Sequence, residues 1–176
     1  MVAVLSGEWQ FKYYDNCQNI PDEFDSEKEE TDIVTVPSCW QFTGYEEPYY
    51  LNSRYPFKCE PPKFPEDCSA GVYLKKFILS DVVGNYTLTF LGVASCVDVF
   101  VNGKYVGYSE GSHNTAEFDI TEMLFEGENE IVAVVHKWCT GTYLECQDMF
   151  RNNGIFRDVY ILSLIHISEP TRPISI

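Results

Sequence analysis

Length, composition and charge narrow the class of protein before any motif is considered. The 176 residues suit one domain that is long enough to bury a core, and the shares of hydrophobic residues (45%) and aromatic residues (15%) exclude a disordered chain and favour strands. The formal net charge of −15 argues against nucleic acid or an anionic membrane as a partner and suits a neutral ligand.

The first half of the chain predicts two strands and one long irregular segment. Apolar and polar residues alternate over residues 9–13, which indicates a half-buried strand. A polar, acidic surface segment follows over residues 15–32, and a short strand over residues 33–36 ends at Pro37. Residues 38–67 are rich in both proline and aromatic side chains, so we expect an irregular layer that aromatic rings hold over one end of the sheet core.

The second half of the chain predicts short, regularly spaced strands with almost no helix. Asn102-Gly103 is the strongest hairpin signal, because both residues tolerate the positive φ of a type I′ turn. Residues 121–125 predict a single helical turn. The predicted strands are residues 72–79, 85–90, 96–101, 104–108, 116–120, 130–135 and 159–162. This pattern indicates an all-β, antiparallel β-sandwich.

Seven cysteines raise the question of disulfides or a metal site. They are Cys17, Cys39, Cys59, Cys68, Cys96, Cys139 and Cys146. Their number is odd, no Cys-x-x-Cys pair occurs, and His136 with Cys139 cannot alone complete a zinc site. No basic-plus-apolar signal segment opens the sequence, and no apolar run approaches the roughly 20 residues that span a bilayer. We therefore expect reduced thiols, without a structural metal, in a cytoplasmic protein.

The functional prediction depends on residues 141–158, which join two predicted strands. A loop of this length that stays ordered usually carries function. Its polar side chains are Glu145, Gln147, Asp148, Arg151, Asn152, Asn153, Arg157 and Asp158. They could pair internally, Asp158 with Arg157 or Arg151, or they could bind a ligand. A sugar suits this surface, whereas a phosphate does not, because the segment has no glycine-rich cradle and the chain is acidic.

Four ordered blocks of the sequence carry a resemblance to a known family. The blocks are Gly7-Glu8-Trp9-Gln10-Phe11; Val36-Pro37-Ser38-Cys39-Trp40-Gln41 with Gly44-Tyr45, Tyr50-Leu51-Asn52 and Tyr55-Pro56; Val101-Asn102-Gly103 with Val106-Gly107-Tyr108; and Gln147-Asp148-Met149-Phe150-Arg151 with Gly154-Ile155-Phe156-Arg157-Asp158-Val159. Over about residues 5–162 the chain resembles the N-terminal sugar-binding domain of family 2 glycoside hydrolases of the β-galactosidase type. The resemblance implies that the sandwich is a galactose-binding-like jelly-roll.

The resemblance implies a role in the hydrolysis of terminal β-D-galactosides with retention of configuration. Retaining glycosidases use two carboxyl groups about 5–5.5 Å apart. Glu145 and Asp148 do not suit this task, because both lie on one loop with nothing opposite to enclose a sugar. In the family both catalytic glutamates lie on a later (β/α)₈ barrel. We therefore expect no catalytic residue in this chain and no hydrolysis by the chain alone.

By the same resemblance, the chain supplies one wall of the galactose subsite. Asp148 aligns with an aspartate that binds a galactose hydroxyl and is one ligand of a sodium ion, whose other ligands come from the barrel. Asn52 aligns with an asparagine that lines the same pocket, although it could instead be an Asx-turn residue. Magnesium is expected in the parent barrel and not in this chain. Thr140 stands where one relative has a magnesium-binding aspartate, so that metal is not carried over.

Other residues of the matching blocks are expected to be structural. We expect the loop to be held in shape by Arg151, Gly154, Arg157 and Asp158. Trp40 and Trp138 could stack on a sugar, but buried core positions are the expected ones. Phe150 and Cys146 replace the commoner Trp and Asp of the family pattern. Phe150 should preserve packing, whereas Cys146 removes a charge.

The resemblance also sets the expected limits of the domain. Residues 1–162 form the sugar-binding domain, clipped at its start, and residues 163–176 resemble a translated sequencing adapter, which makes them a non-native tail. The parent would be a homo-oligomeric β-galactosidase whose remaining domains contact this one. Two alternatives stay open: a free-standing, lectin-like carbohydrate-binding sandwich and a purely structural interface module.

Overall fold

The computed structural model describes residues 2–21, 24, 28–50, 54–66, 68–145 and 147–164. These residues form strands and four short 3₁₀ helices, at Cys17–Asn19, Trp40–Thr43, Thr121–Met123 and Thr140–Tyr143. The strands are β1 (Val2–Val4), β2 (Gly7–Tyr14), β3 (Asp32–Val36), β4 (Tyr49–Tyr50), β5 (Ala70–Leu79), β6 (Asn85–Phe90), β7 (Val93–Ala94), β8 (Cys96–Val101), β9 (Lys104–Glu110), β10 (Ala116–Asp119), β11 (Gly127–His136), β12 (Phe150–Arg151), β13 (Gly154–Ile155) and β14 (Val159–Leu164). Within the described ranges, no helix has the length and apolarity that a membrane crossing requires.

Two antiparallel sheets form the body of the molecule. One has four strands in the order β1-β14-β6-β10, and the other has six in the order β3-β2-β5-β11-β8-β9. Two further antiparallel pairs, β4 with β12 and β7 with β13, join connecting segments to one another. The prediction of an all-β, antiparallel sandwich is confirmed.

The core fills the space between the sheets, because side chains alternate between the two faces of each strand. On β11, Ile131, Ala133 and Val135 are fully buried in this core, whereas Val132 and Val134 belong to a smaller cluster on the other face of the sheet. The four-stranded sheet contributes Leu88, Phe90, Phe118, Val159 and Ile161. Burying each large apolar side chain stabilises the fold by about 1.5–3 kcal/mol relative to leaving it exposed.

The hairpin predicted at Asn102-Gly103 joins β8 to β9. Both turn residues have positive φ, 51° for Asn102 and 74° for Gly103, as a type I′ turn requires. The side chain of Asn102 also bonds outside the turn. Its Nδ2 donates to the carbonyl of Met123 at 2.7 Å, and its Oδ1 accepts from the backbone N–H of Glu130 at 2.8 Å. The turn is therefore fixed both by its own backbone and by β11.

The segment between β3 and β5 is largely irregular, as its prolines predict, and aromatic side chains pack it against the sandwich. Trp40 is 1% exposed, and its ring nitrogen donates to Glu46 at 3.1 Å. Tyr55 and Phe57 pack with Trp138, which is 5% exposed. The expectation that Trp40 and Trp138 are buried, and do not serve as exposed stacking platforms, is confirmed.

β14 runs two residues beyond the expected end of the domain at residue 162. Ser163 pairs with Tyr86, and Leu164 pairs with Asn85 on β6. Ladder hydrogen bonds join backbone groups, so a strand can continue whatever side chains follow. Residues 165–176 lie outside the described residues, and the non-native origin of the tail stays a prediction.

Candidate functional site

The predicted functional segment, residues 141–158, is fixed by short backbone pairings. It begins in the 3₁₀ helix Thr140–Tyr143, and further along β12 pairs with β4 and β13 pairs with β7. Pairing with two different parts of the chain holds the backbone of the segment at both places. Cys146 lies outside the described residues. The expected effect of having a cysteine there in place of the family's aspartate, the loss of one charge, therefore stays a prediction.

Asp148 lies on the exposed side of this segment, where its carboxylate accepts a hydrogen bond from the hydroxyl of Tyr50. The pairing of β12 with β4 places Phe150 opposite Tyr50, and the two ring centroids lie 5.6 Å apart. Two blocks of the resemblance, 98 residues apart in sequence, therefore meet at Asp148. Asn52, the other predicted substrate-binding residue, lies outside the described residues.

Glu145 has well-defined partners of its own. Its carboxylate accepts hydrogen bonds from the backbone N–H of Ser112 at 2.6 Å and from the hydroxyl of Ser112 at 2.7 Å. Nη1 of Arg151 lies 3.6 Å from the same carboxylate. These contacts hold the segment against the connection between β9 and β10. The hydrogen bonds and the ion pair of Glu145 therefore indicate a structural role.

Arg151 is buried beside a surface cleft and keeps unused hydrogen-bonding capacity. It is only 8% exposed, and its Nε and Nη2 atoms have no hydrogen-bond partner. The side-chain oxygen of Asn152 is likewise buried and has no hydrogen-bond partner. An unsatisfied buried polar group costs about 1–3 kcal/mol, so these atoms set Arg151 and Asn152 apart from the well-bonded residues of the segment. The sequence predicted only a loop-holding role for Arg151.

The cleft next to Arg151 has a volume of about 280 Å³, close to the lower limit for small-molecule sites. Phe42 and Phe150 line it and are 71% and 60% exposed, so they present apolar rings to an incoming ligand. Ser112 and His113 also line the cleft. No local sequence pattern marks Phe42, Ser112 or His113 as site residues, because only the fold brings them to the segment.

A buried pair of amides joins the segment to an earlier block of the sequence. Nε2 of Gln41 donates to Oδ1 of Asn153 at 3.1 Å, and Oε1 of Gln41 accepts from the backbone N–H of Asn153 at 2.8 Å. Nδ2 of Asn153 donates in turn to the carbonyl of Lys137 at 3.1 Å. Gln41 and Asn153 are 8% and 2% exposed, so these bonds are shielded from water.

Arg157 and Asp158 bond to other parts of the chain and not to each other. Nη1 of Arg157 donates to the carbonyls of Leu91 and His113, each at 3.3 Å. The carboxylate of Asp158 accepts from the hydroxyl of Ser6 at 2.8 Å. These contacts fasten the end of the segment to the sandwich, which is the loop-holding role that the resemblance implied.

Glu110, at the end of β9, holds the start of the segment. Its carboxylate accepts from the hydroxyl of Thr140 at 2.9 Å, from the backbone N–H of Gly141 at 3.3 Å and from the hydroxyl of Tyr108 at 3.1 Å. Burial acts to raise the pKa of Glu110, but these hydrogen bonds favour the ionised form more strongly, so the pKa lies below its ordinary value.

The structure is an antiparallel sandwich with an exposed carboxylate at Asp148 and, in the same segment, a cleft lined by Arg151 and by exposed aromatic rings. A family model described as glycosyl hydrolases family 2, sugar binding domain, matches residues 2–165. The chain belongs to this family. The resemblance carried by the four sequence blocks is thereby confirmed.

Several β-galactosidases are similar to this chain over most of its length. The β-galactosidase of Actinobacillus pleuropneumoniae is 46% identical over 165 residues, which cover 91% of this chain and 16% of that protein. The β-galactosidase of Staphylococcus xylosus is 45% identical over 162 residues, again 91% of this chain and 16% of that protein. The chain therefore spans about one sixth of the length of these relatives.

Solved structures share the fold at lower identity. A putative β-galactosidase from Bacteroides fragilis matches with a TM-score of 0.63 and 24% identity, over 92% of this chain and 23% of that chain. The β-glucuronidase of Bacteroides uniformis matches with a TM-score of 0.66 and 20% identity, over 92% of this chain and 17% of that chain. At these identities the likeness establishes the sandwich fold alone.

Proposed function

We propose that this chain is the N-terminal domain of a retaining β-galactosidase and forms one wall of its galactose subsite. The observation that carries this proposal is the exposed carboxylate of Asp148, which lies in the same segment as the cleft-lining residues Met149, Phe150 and Arg151. The family of the chain and the β-galactosidases similar to it support the choice of reaction.

The exposed carboxylate of Asp148 and the aromatic rings that line the nearby cleft suit a hexose. A carboxylate can accept several hydrogen bonds, so Asp148 can bind a sugar hydroxyl while it also accepts the bond from Tyr50. The exposed rings of Phe42 and Phe150 can contact the C–H faces of the sugar. Asn52 would add an amide that both donates to and accepts from one hydroxyl.

Asp148 also fits a partial sodium site, because hard cations prefer oxygen ligands and a carboxylate supplies them. One carboxylate holds such an ion poorly, so the proposal assigns the remaining sodium ligands to the barrel of the parent protein. The magnesium and the two catalytic carboxyl groups are assigned to the same barrel. The role of this chain is to shape the sugar site, while the barrel would break the glycosidic bond.

We further propose a cytoplasmic, homo-oligomeric parent protein. Abundant thiols fit a cytoplasmic protein, and the net charge of −15 disfavours anionic partners such as nucleic acid. The homo-oligomeric state of the parent is carried over from the family resemblance. The partners of this chain would then be a β-galactoside and the remaining domains of the parent.

The test is a chimera in which residues 2–162 replace the corresponding segment of the Actinobacillus pleuropneumoniae β-galactosidase. Asp148→Asn keeps the size of the side chain and removes its charge. We expect kcat/KM for a chromogenic galactoside to fall by more than about tenfold, because a charged acceptor of a sugar hydroxyl is lost.

Asp81→Asn is the matched control, because Asp81 is an exposed aspartate in the connection between β5 and β6. It should leave kcat/KM within about twofold of the parent chimera. A loss below twofold for Asp148→Asn in a folded, active chimera would overturn the sugar-binding role and favour a purely structural interface module.

A further inference from the structure

Three possible metal ligands meet at one end of the six-stranded sheet. The Sγ atoms of Cys17 and Cys68 and a ring nitrogen of His136 lie within 4.8 Å of one another. The two sulfurs are 3.9 Å apart. In a tetrahedral zinc centre with Zn–S bonds of about 2.3 Å, neighbouring sulfurs lie about 3.8 Å apart. The sulfur pair therefore already has the separation that one zinc ion requires.

The strand register brings these three residues together. β5 lies between β2 and β11, and Ala70 pairs with Tyr14 on one side and with His136 on the other. Cys17 follows the end of β2, and Cys68 precedes the start of β5. The backbone N–H of Cys17 donates to the carbonyl of Cys68 at 2.7 Å. The ligand positions are therefore fixed by the sheet and by a direct backbone bond.

The histidine has the support that metal-binding histidines usually have. Nε2 of His136 lies 3.2 Å from Oδ2 of Asp98, and Oδ1 of Asp98 accepts a hydrogen bond from the hydroxyl of Tyr105 at 3.1 Å. A carboxylate that holds one ring nitrogen fixes the tautomer and orientation of the ring and leaves the other nitrogen for a metal. Asp98 would thus be a positioning residue for His136.

We propose that Cys17, Cys68 and His136 bind a zinc ion. Two thiolates and an imidazole form a donor set that suits zinc, and a water molecule can complete the tetrahedron. The side chain of His136 is 23% exposed, so water can reach the site. The bound ion would connect the turn after β2, the segment before β5 and the end of β11. This proposal replaces the expectation that the chain has no structural metal, and it is independent of the proposed sugar site.

The test uses the whole chain, kept reduced and freed of metal by chelation. We expect one equivalent of Co²⁺ to produce thiolate-to-cobalt charge-transfer bands and the intense visible bands of tetrahedral cobalt, and Zn²⁺ to abolish both. Cys17→Ser and Cys68→Ser should each remove the charge-transfer bands of the paired thiolates. Cys59→Ser is the control and should change nothing, because Cys59 is an exposed cysteine outside the cluster.

His136→Gln should also weaken binding, while leaving thiolate absorption in the residual complex. Asp98→Asn should weaken zinc binding about tenfold to a hundredfold and keep the cobalt spectrum of the bound state, as expected for a residue that acts through His136. Zinc should raise the thermal unfolding temperature in a concentration-dependent way.

Three results would overturn the proposal. One is the absence of thiolate–cobalt bands in the reduced, folded chain. Another is unchanged metal binding in Cys17→Ser and Cys68→Ser. A third is a Cys17–Cys68 disulfide that mass spectrometry finds in the freshly isolated protein with or without zinc in the growth medium. If a serine variant does not fold, alkylation of the unmodified chain is the deciding measurement. Zinc must slow the alkylation of Cys17 relative to the metal-free chain and leave that of the exposed Cys59 unchanged.

Discussion

Hydrogen bonds between Gln41 and Asn153, whose side chains are uncharged, fix the position of the candidate site. Both amides are buried, and removing the side chain of Asn153 takes away the acceptor of Nε2 of Gln41 and the donor to the carbonyl of Lys137. Asn153→Ala should lower the free energy of unfolding by about 1–3 kcal/mol, measured by denaturant titration, because two buried side-chain hydrogen bonds, to Gln41 and to the carbonyl of Lys137, would be lost.

A double-mutant cycle gives the control for this prediction. Once Asn153 is alanine, Gln41→Ala should cost less than it costs in the unmodified chain, because the side-chain bond between the two amides is already gone and only the bond from the backbone N–H of residue 153 remains. Strict additivity of the two losses would show that the amide pair contributes no coupling.

The residues of the candidate site differ in how far the sequence predicts them. The matching blocks mark Asp148, which the structure places exposed and next to Tyr50, while its sugar-binding role stays a prediction. The unpartnered donors of Arg151 could not be predicted, because hydrogen-bond satisfaction depends on which groups the fold brings near. The proximity of Cys17 to Cys68 could not be predicted either, because these cysteines are 51 residues apart and only the fold brings them together.

At the level of elements, β13 depends on the absence of a side chain at Gly154. Its φ is +132°, and a Cβ there would lie 2.8 Å from the carbonyl oxygen of Ser38 and from the hydroxyl of Tyr73. Gly154→Ala should therefore lower the free energy of unfolding by more than about 1 kcal/mol, combining backbone strain with a steric clash.

Gly7→Ala separates the two causes. Gly7 has a comparable φ of +117°, but nothing lies within 4 Å of a Cβ added there. Thermal unfolding of both variants should show the larger loss for Gly154→Ala. Equal losses would mean that the close approach of Ser38 and Tyr73 is relieved at no cost.

The anchoring of the segment to β9 should depend on pH through Glu110. Because its pKa is lower in the folded chain than the ordinary value of 4.5, ionised Glu110 stabilises the fold above that value. The contribution is lost as the pH falls through the lowered, folded-state pKa. The stability advantage of the unmodified chain over Glu110→Gln should therefore shrink between about pH 6 and pH 3.

Urea unfolding at each pH measures this difference. Glu117→Gln is the control, because Glu117 is an exposed carboxylate on β10, and its effect should vary less with pH. A Glu110→Gln effect that is constant across the range would contradict the hydrogen-bonded role of the carboxylate.

Most strands of the two main sheets follow from alternation and turn signals, as β6 and the hairpin at Asn102 illustrate. The short strands β4, β7, β12 and β13 do not, because two residues are too few to show a period. Their pairings are set by tertiary contacts, and these are the pairings that position the functional segment.

At the level of the whole molecule, the chain should bind a sugar weakly and hydrolyse none. It supplies one wall of the proposed site, so hydrolysis of a chromogenic galactoside should not exceed the buffer rate. Calorimetry should give a dissociation constant for galactose weaker than about 1 mM. Tight binding without hydrolysis would favour the free-standing, lectin-like alternative.

The pairing of residues 141–158 at two separate places has a consequence for selectivity. A surface whose backbone is already ordered before a ligand binds loses little conformational entropy on binding. A larger share of the interaction energy can then contribute to the difference in affinity between two ligands. Such a preorganised wall can distinguish epimers, whose hydroxyls differ only in direction, because it cannot shift to accommodate the wrong one.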